Sequence, residues 1–416
     1  MNPALLFLFC AVAVAQTAPP PAAPPPPAPG GRGAPAVRSP EVAADGRVTF
    51  RLRAPNAREV AVTGIVPGQR LAMQKDEQGV WTATTDPMKP DMYGYAFSVD
   101  GATFNDPGNS NFKTAMVGAG QSQVHVPGTV SWEPAPGIAR GAVAHHFYHS
   151  ELIGDDRDFY VYTPPNYEPN RKELYPVLYL LHGLGDDAAG WLTAGAANVI
   201  LDNLIAQGKA KPMIMVNTLG YGVANMLSGG RGGRGGPGVM GGDKMIPNFA
   251  QAVLEEVMPQ VEKQYRVTKN RQERAIAGLS MGGAEALFTG LNHQDKFAWV
   301  GSFSGAFVMW PGAVTGTPAT GNTAGGGRGA MKLDTAVFER NFPALDAKTN
   351  KQLKLLWIAC GTDDGLNGVN QQFKGWLKGK DIQFTDVEVP GMAHVWPLWR
   401  QNLTELAPLL FQGKAN

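Results

Sequence analysis

The sequence of 416 residues contains little cysteine and almost no net charge. Only Cys10 and Cys360 are present, and Cys10 lies in an N-terminal apolar segment, so its removal would leave no intrachain disulfide. The net charge of +1 gives no electrostatic basis for binding nucleic acid or an anionic membrane. No His, Cys or Asp cluster has metal-ligand spacing, so we expect no metal or other cofactor.

Apart from the N-terminus, the sequence has no stretch long and apolar enough to cross a membrane. Ala4–Ala15 is apolar but too short to span a bilayer, and Ala13–Ala15 has the small-x-small pattern of a cleavage site. Phe9 precedes Cys10, which argues against a lipid-modified cysteine. We therefore predict a signal peptide over 1–15, a secreted or periplasmic protein, and no stable membrane insertion.

Residues 16–39 are rich in Pro, Ala and Gly and are predicted to form an extended linker. Residues 40–127 contain short segments of alternating polarity separated by polar turns, which predicts a small all-β, Ig-like sandwich. The clearest segments are Arg47–Arg53, Glu59–Thr63 and Met92–Val99. Trp81 and the nearby tyrosines belong either to a sugar-binding face or, as is more common, to the core. A second linker is predicted over 128–144.

Residues 145–412 alternate apolar segments with helical ones, which predicts a mostly parallel sheet with helices on both faces. The fold class is therefore α/β, preceded by a small all-β domain. The predicted strands are Val177–Leu181, Met213–Val216, Arg274–Ala277, Trp299–Phe303, Leu355–Ala359 and Phe384–Val389. The predicted helices are Ala197–Gln207, Phe249–Tyr265, Ala284–Leu291 and Val369–Gly379.

Two glycine-rich inserts, Ser228–Gly242 and Gly321–Ala330, interrupt this pattern and carry arginines. Arg-Gly-Gly repeats can bind RNA. Each insert, however, follows the end of a predicted strand, where open α/β sheets place their ligands. Loops around a cleft are therefore favoured over nucleic-acid contacts, and inert insertion is the remaining alternative.

A Gly-x-Ser-x-Gly sequence, Gly278–Gly282, lies between a predicted strand and a predicted helix. This order is typical of a nucleophile elbow, which holds a serine hydroxyl at the edge of a sheet. So tight a turn strains the serine backbone, and side chains at Gly278 and Gly282 would collide with their neighbours. We therefore predict that Ser280 is a nucleophile; the alternative is a glycine-rich turn without chemistry.

A serine nucleophile needs a base, and the base needs a carboxylate that orients it. In a sheet of this order, the acid follows a late strand and the histidine follows the last one. Both positions are filled, by Asp363 or Asp364 and by His394. Adjacent residues of a turn point in different directions, so only one aspartate can reach His394, and the residues alone do not decide between them.

Acyl transfer also needs two amide donors for the oxyanion. Met281, which follows the nucleophile, is predicted to supply one. The loop after His182 is predicted to supply the other, from Leu184 or alternatively Gly185. His182 itself is expected to support this loop, because it follows the wrong strand to act as the base.

Aromatic residues near these motifs are candidates for contact with an aromatic acyl group, although packing is their more common role. Trp191 and Trp396 are the predicted substrate-binding residues, and Trp399 is a weaker candidate. Arg400 is expected to pair with a local carboxylate.

Four motifs, Leu180–Gly183, Ala277–Gly283, Cys360–Gly365 and His394–Arg400, together resemble the esterase D-like branch of the α/β-hydrolases. That branch includes feruloyl and acetyl xylan esterases of carbohydrate esterase family 1, enterochelin esterases and mycolyltransferases. The resemblance implies that Asp364 is the acid of a Ser280, Asp364, His394 triad, and it supports Leu184 as the second donor. It also implies an early-set Ig-like domain over 40–127. The two glycine-rich inserts depart from the family pattern.

The sequence thus predicts a secreted serine esterase that removes feruloyl or acetyl groups from an acylated plant oligosaccharide or polysaccharide such as xylan. One alternative is hydrolysis of a siderophore trilactone, and another is mycolyl-type acyl transfer. A third is a non-catalytic carbohydrate-binding protein. The acyl group, the sugar and the oligomeric state are not determined by the sequence.

Overall fold

The computed structural model describes residues 37–65, 69–116, 120–128, 130–224, 242–313 and 333–412. The predicted signal peptide and nearly all of the first linker lie outside these residues, as do the glycine-rich inserts except for Gly242. The described residues from Arg38 onward form one compact unit. None of the helices in the described part has the length and apolar character needed to cross a bilayer.

The N-terminal part of this unit, here called the β domain, consists of two antiparallel sheets. One sheet has the strand order β1-β2-β6-β5, and the other has the order β4-β3-β7-β10-β9, with β8 paired to β7. The strands are β1 (Glu41–Val42), β2 (Val48–Arg53), β3 (Val60–Thr63), β4 (Arg70–Ala72), β5 (Gln74–Lys75), β6 (Val80–Thr84), β7 (Asp91–Val99), β8 (Ala102–Phe104), β9 (Phe112–Lys113) and β10 (Gln121–Val126).

Side chains from both sheets of the β domain form one apolar cluster, as expected for a sandwich. Alternation is clearest in β10, where every second residue is buried. Trp81 and Tyr95 belong to this cluster, and the Trp81 indole N–H donates to Ala54 O at 2.9 Å. These two aromatic residues are therefore core residues and do not form a sugar-binding face.

The second part of the unit, here called the esterase region after the family that its sequence resembles, is built on an eight-stranded sheet in the order β11-β12-β14-β13-β15-β16-β17-β18. The first two strands form an antiparallel hairpin, and the strands from β14 to β18 in this order are parallel. The strands are β11 (Ala142–Ser150), β12 (Asp155–Thr163), β13 (Val177–Leu181), β14 (Ile214–Thr218), β15 (Arg274–Leu279), β16 (Trp299–Phe303), β17 (Leu355–Gly361) and β18 (Thr385–Val389).

Helices cover both faces of this sheet. The α-helices are α1 (Gly190–Thr193), α2 (Ala197–Ala206), α3 (Met245–Ala252), α4 (Met258–Gln264), α5 (Met281–Asn292), α6 (Ala336–Asn341), α7 (Thr349–Gln352), α8 (Asn367–Gly379) and α9 (Trp396–Leu406). A π-helical turn, Val253–Val257, joins α3 to α4, and 3-10 turns occupy Gly242–Lys244, Arg271–Glu273, Phe307–Met309 and Ala407–Leu409.

Strand β13 shows how the sheet divides the apolar core. Val177, Tyr179 and Leu181 enter one buried cluster, whereas Leu178 and Leu180 enter a second cluster on the opposite face. Every residue of this strand is buried. A strand between two helical layers therefore has a continuous apolar sequence. This arrangement confirms the predicted fold class.

The predicted elements of the esterase region are present with small shifts at their ends. The predicted helix over 249–265 starts earlier, at Met245, and contains the π-helical turn. The hairpin β11–β12 and the helices α1, α6, α7 and α9 were not predicted. Strand β11 lies at the sheet edge and is largely exposed, so its sequence lacks the apolar continuity of the central strands.

Candidate active site

The turn from β15 into α5 places Ser280 in an unfavourable backbone conformation, with φ 53° and ψ −116°. Hydrogen bonds fix this turn on both sides. The Ser280 N–H donates to Phe303 O at 2.9 Å, and its carbonyl accepts from Ala284 N at 3.1 Å and Ala306 N at 2.9 Å. A strained residue held in this way is typical of a functional position.

The two glycines of the motif are required by close packing. A Cβ at Gly278 would lie 2.3 Å from Gly282 O. A Cβ at Gly282 would lie 2.4 Å from His182 O and 2.6 Å from Leu181 O. These neighbours are backbone atoms, which cannot rotate away, so the turn leaves no room for either methyl group.

His394 and Asp364 are directly paired. The His394 Nδ1–H donates to Asp364 Oδ2 at 2.8 Å, and Asp364 Oδ1 accepts from Leu366 N at 2.8 Å. The Asp364 side chain has no exposed surface, whereas 35% of the His394 side chain is exposed. Asp363 is exposed and accepts a hydrogen bond from Thr362 Oγ1, so Asp364 is the aspartate of the pair that contacts His394.

Ser280 and His394 follow β15 and β18, whose carboxyl ends lie at the same edge of the parallel sheet. Within the described residues, the Ser280 hydroxyl makes no hydrogen bond to the His394 ring. Such bonds are often long in a free enzyme and shorten when substrate binds. The structure thus brings the histidine and the aspartate into contact and puts the serine at the same sheet edge.

The predicted oxyanion donors, Met281 and Leu184, follow Ser280 and Gly183 in the chain. Met281 is the first residue of α5, so its N–H has no acceptor within the helix. Gly183 lies against the nucleophile, because a Cβ there would be 3.2 Å from Ser280 Cβ. The Gly185 N–H donates to Tyr221 Oη at 2.7 Å, whereas the Leu184 N–H has no acceptor among the described residues. Leu184 therefore has the amide that is free to bind an oxyanion.

His182 is fully buried behind this loop. Its Nδ1–H donates to Gly183 O at 2.8 Å, and its Nε2 accepts from Gly220 N at 2.9 Å. Burial lowers the pKa of His182, so the ring is neutral with its proton on Nδ1. Both ring nitrogens are occupied by backbone groups, so His182 supports the loop and cannot act as the base.

Glu285, one turn after Ser280 on α5, has no counterpart in the sequence-based predictions. Its side chain is fully buried, and burial raises the pKa of its carboxyl well above the usual range, although Arg157 opposes the shift. Neither carboxyl oxygen has a hydrogen-bond partner among the described residues. Both Glu285 Oε2 and His182 Nε2 lie close to Gly220. A carboxyl group whose burial favours the protonated form therefore lies behind the loop; a single acidic residue in an apolar helix was its only sequence signal.

The two predicted substrate-binding tryptophans differ in exposure. Trp191 is completely buried, and its indole N–H donates to Leu181 O at 2.8 Å, so it packs behind the loop, in contrast to the predicted substrate contact. Trp396 is half-buried and packs edge-on against Trp191, with a centroid distance of 5.3 Å. Trp399 is buried and contacts the His394 ring edge-on at 4.9 Å.

Arg400 pairs with a distant carboxylate and not, as expected, with a local one. Its guanidinium donates to Asp91 Oδ1 and Met92 O on β7 of the β domain, and to Ala194 O after α1. It also lies over the Trp132 ring at 5.1 Å. Arg400 is almost fully buried, so it joins the helix that follows His394 to the β domain.

Comparison with family models relates the two parts of the chain to two different families. The model of the Esterase family matches residues 150–409, which is more than half of the chain. A model of carbohydrate-binding module 48, the isoamylase N-terminal domain, matches residues 36–115. The resemblance found in the sequence is thus confirmed, and the β domain is similar to this module.

Among curated proteins, the chain is 29% identical to an endo-1,4-beta-xylanase/feruloyl esterase of Xylanibacter ruminicola. The match covers 91% of this chain but only 46% of that relative, so the chain spans about half of its length. An acetyl esterase of Caldicellulosiruptor saccharolyticus is 24% identical over 55% of this chain and 80% of its own length.

Solved structures share the fold. A ferulic acid esterase from Anaeromyces mucronatus, in complex with ferulic acid, is 25% identical with a TM-score of 0.54, covering 68% of this chain and 94% of that one. The enterobactin esterase of Shigella flexneri has a TM-score of 0.60 at 18% identity, covering 87% of this chain and 92% of that one. The second likeness shows the fold alone. Given the family match over 150–409, the chain belongs to the Esterase family.

Proposed function

We propose that this protein is a serine carboxylic-ester hydrolase that removes feruloyl or acetyl groups from plant polysaccharide, with Ser280, His394 and Asp364 as its catalytic triad. The observation that carries the proposal is the strained Ser280 turn at the same sheet edge as the hydrogen-bonded His394–Asp364 pair. The similarity to feruloyl and acetyl esterases supports the substrate class.

In the first half of the reaction, His394 Nε2 takes the proton from Ser280 Oγ as this oxygen attacks the ester carbonyl carbon. Asp364 accepts the hydrogen bond from Nδ1–H, which leaves Nε2 free as the base and stabilises the imidazolium that forms. The tetrahedral intermediate then collapses, His394 returns the proton to the leaving sugar hydroxyl, and the acyl group remains on Ser280.

In the second half, a water molecule gives its proton to His394 and attacks the acyl-enzyme, and the carboxylic acid leaves as Ser280 regains its proton. In both halves, the negative charge on the former carbonyl oxygen is bound by the amides of Met281 and Leu184. This role requires free N–H groups, and the free Leu184 N–H supports Leu184 over Gly185.

The β domain provides a surface for the polysaccharide part of the substrate. Two cavities of about 730 and 380 Å³ border it, and the smaller one extends to Thr193 in α1 of the esterase region. Phe112, half exposed, lines the smaller cavity and offers an aromatic face for a sugar ring. The residues shared by both cavities can form hydrogen bonds with sugar hydroxyls: Ser110, Asn111, Gln123 and His125.

A polysaccharide substrate requires contact with material outside the cell, so the proposal includes export to the periplasm or beyond. The apolar segment Ala4–Ala15 with its small-x-small site supports this location. N-terminal sequencing of the protein recovered from the medium or periplasm tests it, and recovery of an unprocessed cytoplasmic chain would contradict it.

The central experiment measures hydrolysis of p-nitrophenyl acetate and methyl ferulate by the wild type and by Ser280→Ala. We expect turnover by the wild type, labelling of Ser280 by a fluorophosphonate probe, and loss of both in the variant. A wild-type protein that neither hydrolyses short esters nor takes up the probe would overturn the proposal and favour the carbohydrate-binding alternative.

A panel of substrates separates the proposed activity from its alternatives. We expect faster release of acid from feruloylated arabinoxylan or acetylated xylan than from a catecholate trilactone. Phe112→Ala is expected to slow hydrolysis of the polymer and to leave methyl ferulate unaffected. A preference for the trilactone would identify a siderophore esterase, and transfer of the acyl group to an added sugar in place of water would indicate acyl transfer.

A further inference from the structure

We propose that Lys113 of the β domain is a positioning residue for ester hydrolysis, because its ion pair with Asp186 sets the direction of the Leu184 N–H that binds the oxyanion. This inference rests on the proposed function, since it assigns a further residue to the same site. It gives the β domain a role in the chemical step, separate from any contact with polysaccharide.

The segment Phe112–Met116 of the β domain makes three polar contacts with the loop that follows β13. The Lys113 ammonium pairs with the Asp186 carboxylate, and the Thr114 hydroxyl donates to the Asp187 carboxylate. The Met116 N–H donates to Gly185 O at 2.9 Å. The loop is therefore held on one side by residues more than 60 positions earlier in the chain.

Asp186 connects the ion pair to the peptide group that carries the Leu184 N–H. The Asp186 N–H donates to Gly183 O at 3.2 Å, and the His182 ring donates to the same oxygen at 2.8 Å. The C=O and N–H groups of a trans peptide point in opposite directions. Two donors on Gly183 O therefore fix the direction of the Leu184 N–H.

The ion pair is well placed to hold Asp186, because both partners are shielded from water. The Lys113 side chain is 12% exposed and the Asp186 side chain is 10% exposed. Charges in such surroundings attract each other more strongly than exposed charges, and an unpaired carboxylate left there would move toward solvent. Removal of Lys113 would thus shift Asp186 and, with it, the donor to Gly183 O.

Tyr221 restrains the same loop from within the esterase region. Its hydroxyl accepts from Gly185 N at 2.7 Å and donates to Asp186 O at 2.9 Å. This second restraint keeps the loop folded when Lys113 is replaced. We therefore expect the substitution to change the geometry of the oxyanion site by a small amount and to leave the loop ordered.

The test compares full chains carrying Lys113→Ala, Lys113→Gln or Lys113→Arg with the wild type. The kcat and KM for p-nitrophenyl acetate are measured per active site, counted by titration with a fluorophosphonate. This small substrate does not reach the polysaccharide surface of the β domain. The Ki of a trifluoromethyl ketone, which forms a tetrahedral oxyanion on the serine, is measured in parallel.

A misplaced oxyanion donor weakens binding of the transition state and not of the substrate. We therefore expect Lys113→Ala to lower kcat about tenfold or more, with KM changed by less than about twofold and the Ki of the ketone raised in proportion. Lys113→Arg, which keeps the charge, is expected to restore most of the kcat. Arg70→Ala, which removes an ion pair with Glu59 inside the β domain, is the matched control and is expected to keep the wild-type kcat.

A wild-type kcat per titrated site in Lys113→Ala would overturn this role while leaving the proposed esterase function intact. If Lys113→Ala fails to fold, the same criterion applies to Lys113→Gln, which keeps the side-chain length. An equal loss of kcat in Arg70→Ala would also overturn it, since the effect would then be one of domain stability. A wild-type protein without turnover or labelling would instead overturn the proposed function itself.

Discussion

The parallel sheet of the esterase region and the β domain bury their side chains in different patterns. All residues of β13 to β16 are buried, because helices cover both faces of that sheet. In β10 of the β domain only every second residue is buried, because each sheet of a sandwich has one face in solvent. The two patterns are visible in the sequence and assign each part to its fold class.

The two regions also differ in how they relate to the candidate active site. The parallel sheet presents Ser280, Asp364 and His394 directly after its strands, where local motifs identify them. The β domain contacts the esterase region through Lys113 and Asp91, and these ion pairs form only after folding. Motifs at strand ends thus locate the candidate catalytic residues, whereas the contacts between the two regions join residues that are far apart in the chain.

The largest expected effect concerns the candidate catalytic residues that follow the strands of the parallel sheet. Asp364→Asn keeps the shape of the side chain but no longer favours the required tautomer of His394 or stabilises its charged form. We expect kcat for p-nitrophenyl acetate to fall by about 10⁴-fold. Asp363→Asn, one residue earlier on the exposed side of the turn, serves as the control and is expected to retain most of the activity. Equal losses in the two variants would mean that His394 is not oriented by Asp364.

The next effect concerns the contact between the regions. Arg400→Met leaves Asp91, only 16% exposed, without its partner, and removes the hydrogen bonds to Met92 O and Ala194 O. We expect the free energy of unfolding, measured with urea, to fall by about 3–5 kcal/mol.

The control for Arg400→Met is Arg47→Ala, which removes a pair with Asp45 that is half exposed. Exposed pairs contribute about 0–1 kcal/mol, so this variant is expected to unfold at nearly the wild-type urea concentration. Similar midpoints for Arg400→Met and the wild type would show that the β domain and the esterase region do not stabilise each other through Arg400.

The features that could be predicted from the sequence are those that local motifs and apolar segments indicate. The strands Val177–Leu181 and Trp299–Phe303 were predicted with their observed bounds, because buried parallel strands are continuous apolar segments. His394 and the acidic pair could be placed because parallel strands end at one sheet edge. The edge strand β11 was missed because exposed strands lack that signal.

The remaining features depend on contacts between residues far apart in the chain. Asp91 and Arg400 are separated by 309 positions, and nothing in either local sequence indicates the other. The burial of Trp191 depends on its packing against Trp396 and Phe303, so exposure could not be judged from its position after a motif. Glu285 is an isolated acidic residue whose surroundings are supplied by other elements.

A smaller effect is expected from a substitution in the tightly packed turn between β15 and α5. Gly282→Ala adds a methyl group 2.4 Å from His182 O and 2.6 Å from Leu181 O. We expect a loss of about 1–3 kcal/mol in the free energy of unfolding, since backbone atoms must shift. Gly375→Ala in α8, where a Cβ meets no atom within 4 Å, is expected to stabilise the protein by about 0.5–1 kcal/mol. Destabilisation of the same size at both positions would point to backbone conformation and not to crowding as the cause.

The effect that depends on pH concerns Glu285, the buried acid one turn after Ser280. Because burial raises its pKa in the folded state, the folded protein keeps a proton that the unfolded chain loses near the usual glutamate pKa. Stability therefore falls as pH rises between those two pKa values, by about 1.4 kcal/mol per pH unit. Glu285→Gln has no such proton. We expect its free energy of unfolding, measured with urea from pH 5 to pH 8, to increase relative to that of the wild type as pH rises.

The control for this change of the free energy of unfolding with pH is Glu339→Gln. Lys380 and Trp376 hold the pKa of the exposed Glu339 carboxyl below its usual value, so this residue is ionised in both states above pH 5. Its replacement is expected to lower stability by a constant amount over the same range. A Glu285→Gln variant whose stability parallels that of the wild type from pH 5 to pH 8 would mean that Glu285 is ionised in the folded protein. The buried Arg157, which opposes the shift, would then have to compensate for the buried charge, and the Glu285 carboxyl behind the loop that follows β13 would be charged and not neutral.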